Sequence, residues 1–223
     1  MIIKYFSLCI GRSFFLRNII NIIKKHIRLN IPIYFITLLF FTIGIVVGTY
    51  TIKALSYSQK VELMDYLEGF FQLFRTQEFN SIQLFLNSFF NNIKIFILFW
   101  ILGLTLFGFP LILLLLGFKG FVLGFTLGFV IEELALKGVL FIVLSILPHN
   151  LFHIPGLLGI GIISMSFSIF IFKNKVKREK IYNKKGQVIT YTITMLLISI
   201  LLLMASLVEA YITPILMKLL FTT

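Results

Sequence analysis

The residues best suited to chemistry are two histidines four apart, His149 and His153, in the run Leu147-Pro148-His149-Asn150-Leu151-Phe152-His153-Ile154-Pro155. A helix would bring both imidazoles to one face, a common spacing for divalent-metal ligands. Glu132 and Glu133 are the nearest acids upstream. One reading is a cation held by these acids and both rings. In the other, the acids end a solvated helix beside Lys137, while Asn150 and the histidines satisfy backbone groups freed where Pro148 interrupts the helix. His-Asn-Leu-Phe-His lacks the glutamate of an HEXXH metalloprotease helix, so no catalytic metal is expected. Ser164, Ser166 and Ser168 sit in an apolar run with no base nearby, and Glu209 is a lone acid near the end of another. In a transporter Glu209 would be a proton-relay candidate. No GxSxG, phosphate-binding lysine loop or Cys/His cluster occurs. The expectation is no enzyme, no cofactor and no metal.

What must position these residues is set by composition. The 223 residues are 59% hydrophobic and 13% charged, with a mean hydropathy of +1.05. Soluble domains average about 45–50% apolar and about 25% charged, so an all-α, polytopic integral membrane protein is expected. The net charge of +12 invites a nucleic-acid reading until the charges are located. Thirteen of the 20 basic residues fall in two blocks, 1–30 and 173–185, that flank apolar runs. That is how topology-setting charge is distributed, and no nucleic-acid partner is expected. Cys9, the one cysteine, excludes a disulfide framework, and no cleavable signal peptide is apparent in the basic first 30 residues.

In chain order, 1–30 reads as a basic cytoplasmic segment and 31–52, uncharged, as a first span. Residues 53–92 carry amphipathic patterns, Leu63, Leu67, Phe70 and Phe74 and then Ile82, Phe85, Leu86 and Phe89, expected as two extracytoplasmic helices joined near 76–80. Residues 93–172 form a glycine-rich membrane core. It holds a second span at about 93–109, a third at about 117–131, and one more crossing within 138–172. Turns are expected at Gly108-Phe109-Pro110 or at 117–120. Both basic blocks belong in the cytoplasm, so an even number of crossings separates them. The 35 uncharged residues 138–172 therefore cross once and are expected to be broken or re-entrant near 138–155, around Pro148, His149, Asn150, His153 and Pro155. A basic loop at 173–187, a last span at 188–212 and a short tail, 213–223, complete about five crossings. The N-terminus is then cytoplasmic and the C-terminus outside.

Gly120, Gly124 and Gly128 recur every four residues and form two overlapping GxxxG motifs beside a ridge of Phe121, Phe125 and Phe129. Such a strip serves close helix packing within the subunit, or dimerisation, or docking of a partner's helix. Gly44 and Gly48 repeat the spacing in the first span.

The run FKGFVLGFTLGF and the segment LPHNLFHIP resemble the stage II sporulation protein M family of endospore-forming bacteria, most strongly over 100–172. A wider family shares the glycine pattern and a Pro-His element followed by a Glu, whose place His153 takes here. The resemblance implies a mother-cell membrane protein needed for forespore engulfment, a scaffold that recruits the peptidoglycan-degrading stage II sporulation proteins P and D to the septum. Leu63, Leu67, Phe70 and Phe74 are the candidate partner surface. The alternative is a transporter or channel component with a discontinuous-helix site around 148–153.

Overall fold

The computed structural model describes residues 12–76, 80–176 and 184–222, with side chains described for 30–69, 72, 80–176 and 185–217. Every regular element among them is helical. In chain order these are α1 (Arg12–Thr51), a 3-10 turn (Ile52–Ala54), α2 (Tyr57–Thr76), α3 (Ser81–Leu104) and α4 (Gly108–Phe141). A π turn (Ile142–Ile146), α5 (Leu147–Val176), α6 (Lys184–Leu207), a second π turn (Val208–Ile212) and α7 (Thr213–Thr222) follow. Three stretches among the described residues, Asn30–Ala54, Ser81–Leu104 and Lys185–Met217, are long and apolar enough to cross a membrane. The protein is an all-α polytopic membrane protein, with α4 and α5 packed among these three.

Local chemistry sets the boundaries. α1 bends at Asn30 (φ −121°, ψ 18°), two residues before Pro32, whose ring cannot donate to the preceding turn. Asn80 caps α3 through its side chain, which accepts from Ile82 N at 3.1 Å. No breaker follows, so the 82–92 pattern is not a separate amphipathic helix: it continues into the second span. Its polar Ser88 and Asn92 are buried because they find partners on the last membrane helix.

The turn between the second and third spans falls at Thr105–Phe107, just ahead of Gly108. Thr105 closes α3 by bonding its own N–H and Oγ1 to the Leu102 carbonyl, at 3.0 and 2.7 Å. Pro110 then lies in the first turn of α4, where a missing N–H costs little. The third helix therefore begins well ahead of residue 117.

The expected break at Pro148 is displaced. Pro148 lies in the first turn of α5, which runs unbroken through His149, Asn150, His153 and Pro155 to Val176. The departure from helix falls at Ala135 (φ 47°, ψ −124°), the one non-glycine residue of positive φ among those described. The chain turns back there, and a Cβ at Gly138 would overlap the Val130 carbonyl. The π turn Ile142–Ile146 precedes the proline; its wider i→i+5 spacing makes room for a ring that would clash in an α-turn. The crossing is thus a bent continuous helix, where a re-entrant or half helix over 138–147 and a separate crossing from 151 were expected.

The core lies where the helices meet. Phe41 of α1, Phe99 of α3, Ile112 and Leu116 of α4, Leu157 and Ile160 of α5, and Tyr191 and Met195 of α6 are buried together. A smaller cluster of Val130, Phe141 and Met217 sits where α4 turns back and α7 packs on it.

Candidate functional site

Two kinds of seam hold the helices, and they place the chemistry-bearing residues. The α1–α4 seam is built on glycine. A Cβ at Gly44 would overlap the Gly117 carbonyl oxygen, one at Gly48 that of Phe121, one at Gly120 that of Phe41, and one at Gly124 that of Ile45. Gly128 faces Thr49 and Ile52, about 3.1 Å from where its Cβ would stand. The strip Gly120, Gly124 and Gly128 therefore faces α1 of the same chain, and the bare backbones come close enough for the Thr49 hydroxyl to reach the Gly124 carbonyl at 3.1 Å.

The α3–α6 seam is polar. Trp100 Nε1 donates to Thr192 Oγ1 at 3.1 Å, and Tyr191 OH donates to the Trp100 carbonyl at 3.0 Å. Further along, Asn92 Nδ2 donates to Ser206 Oγ at 2.8 Å and to the Leu202 carbonyl at 3.2 Å. At the end of the seam the Ser88 hydroxyl donates to Glu209 Oε2. Glu209 sits in the second π turn, and π turns recur at functional positions.

α5 brings its histidines to this same end. His149 Nδ1 lies 3.3 Å from Glu209 Oε2 and 3.2 Å from the Ala205 carbonyl oxygen. The His153 ring stacks on that of His149, with centroids 4.9 Å apart and planes 25° from parallel. His153 Nδ1 is buried and has no hydrogen-bond partner. Asn150 Nδ2 donates to the Ile146 carbonyl at 2.9 Å, within the widened stretch before Pro148, and Pro155 lies on the exposed face of α5. Glu132 is not part of this group. It pairs with Lys60 of α2, which holds the Lys60 ammonium above its ordinary pKa, first through that hydrogen bond and then through the charges of Glu132 and Glu133. No group of three or more acids, histidines or cysteines among the described residues could hold a metal.

The joining of Ser88 and His149 to Glu209, and of Asn92 to Ser206, was beyond the sequence reading. No pattern links them in the sequence, and the partners stand more than 50 residues apart. The usable signal was Ser88 and Asn92, four apart on α3.

Of the candidate partner surface, Leu63 and Leu67 are half-buried on α2, and the side chains of Phe70 and Phe74 lie outside the described residues. α2 packs little against the bundle, with Tyr57 and Tyr66 strongly exposed, and its ion pair to Glu132 ties it to the end of α4. All the described acids, Glu62, Asp65, Glu68, Glu132, Glu133 and Glu209, gather at this end of the bundle. Lys173, Lys175 and Lys185 lie at the other end, beyond the Ser168 and Thr192 contacts.

The chain matches the family model of stage II sporulation protein M over residues 37–214. No curated protein and no solved structure matches it.

Proposed function

The chain belongs to the stage II sporulation protein M family, and on that premise we propose that this sporulation-related membrane protein is a non-enzymatic scaffold for forespore engulfment. In this reading it recruits the peptidoglycan-degrading stage II sporulation proteins P and D to the septum and anchors them on the outer face of the mother-cell membrane. The observation that carries the orientation is the separation of charge. The basic end takes the cytoplasmic side, as do residues 1–30, and the acidic end faces out. The outer end then presents α2, a helix with little packing against the bundle, tied to α4 by the Lys60–Glu132 ion pair. A non-enzymatic role is supported by how two of the three α5 serines, Ser164 and Ser168, are used. Ser164 donates to Met195 Sδ at 3.5 Å, and Ser168 to the Thr105 carbonyl at 2.9 Å, so both hydroxyls serve packing. Replacing Leu67, Phe70 and Phe74 together by serine should strip the hydrolases from the purified protein and leave its membrane insertion unchanged. Undiminished recruitment by that variant would remove α2 as the docking element.

A further inference from the structure

We propose that His149, His153, Glu209 and Ser88 form a binding site for a single proton, set between α3, α5 and the second π turn and read from the acidic end of the bundle. Its geometry assigns the atoms. His149 Nδ1 stands between two acceptors, Glu209 Oε2 and the Ala205 carbonyl, and therefore carries hydrogen in either charge state. The proton enters at Nε2, and the imidazolium so formed is balanced by the Glu209 carboxylate. Glu209 Oε2 also accepts from the Ser88 hydroxyl.

The stacking sets the stoichiometry. Two imidazolium rings with centroids 4.9 Å apart repel strongly, so the pair shares one proton and its steps are coupled. The groups facing the pair are few among the described residues. They are the neutral Ser88 from α3, the Lys119 ammonium from α4, whose charge reaches His153, and Glu209 from the last membrane helix. Glu209 is 46% exposed, so a proton has access, whereas His149 is 19% exposed. Both π turns border the site, one just before Pro148 and one carrying Glu209. Proton uptake makes the His149–Glu209 contact a full ion pair and tightens α5 against α6, while Ser88 ties in α3. This site does not depend on the scaffold role.

The chain has three histidines, and His26→Gln leaves only the two rings of the site. The experiment is ring-15N histidine NMR of that full-length protein in lipid nanodiscs, followed from about pH 4 to about pH 9. The expected result is uptake of one proton in total, with both rings changing over a shared interval. Glu209→Gln should weaken proton binding about tenfold, a displacement of about one pH unit, and Ser88→Ala should weaken it less. Two complete and independent titrations, or no titration of either ring, would overturn the site. Coupling in the protein that retains Glu209 is decisive even if the Glu209 variant fails to fold.

Discussion

At the scale of the residue, glycines with opposite surroundings separate packing from conformation. A Cβ at Gly124 would overlap the Ile45 carbonyl oxygen, whereas nothing stands within 4 Å of one at Gly69. Gly124→Leu should therefore destabilise the protein by about 3 kcal/mol or more, because a backbone, and not the end of a flexible side chain, would have to move. Gly69→Ala should stabilise α2 by about 0.5–1 kcal/mol, the usual gain on removing a helix glycine. Unfolding in mixed micelles checks both. Ala135 holds a backbone conformation that suits glycine, so Ala135→Gly should raise stability by about 1 kcal/mol in the same assay. Lys60 gives a pH dependence whose sign follows from its raised pKa. The tether to Glu132 is fully present below the unfolded lysine value, about 10.4, and is lost as pH rises through the higher folded value. A spin label at residue 58 should thus gain mobility as pH rises above about 10. The glycine strips were legible as a four-residue period. Ala135 was not, because alanine is the best helix former and nothing in its type marks a turn.

At the scale of the element, the α1–α4 pair and the α3–α6 pair adhere by different physics. The first has bare backbone contact, whereas the second has hydrogen bonds at successive heights through Trp100, Asn92 and Ser88. Asn92→Ala removes both bonds that this side chain makes, to the Leu202 carbonyl and to the Ser206 hydroxyl. Polar contacts between membrane helices are worth about 0.6 kcal/mol on average and up to about 1.7, so a loss of about 1 kcal/mol is expected in the unfolding assay. The periodic seam could be read from sequence because its signal repeats. The polar seam could not, because each contribution is one residue whose partner lies 92 to 121 positions away. The Pro148 element shows the same limit. Proline correctly marked a departure from α-geometry, but the sequence does not say that a π turn upstream would absorb it and leave α5 whole.

At the scale of the molecule, the all-α membrane class was legible from hydropathy and from the two basic blocks, because the bilayer constrains composition more strongly than it constrains contacts. What the bundle adds is its polarity, with all the described acids at one end and Lys173, Lys175 and Lys185 at the other. With Cys9→Ala as background, a cysteine in place of Ser58 should react with an impermeant maleimide on intact cells, and one in place of Lys175 only after permeabilisation. The reverse pattern would invert the proposed orientation. The central claim, that this membrane protein is a scaffold for wall hydrolysis, is tested most directly by purifying the tagged protein from membranes of sporulating cells and assaying the eluate for peptidoglycan hydrolysis. The account predicts stage II sporulation proteins P and D in the eluate together with hydrolytic activity, both absent from untagged cells. A pure, partnerless and inactive protein would contradict it.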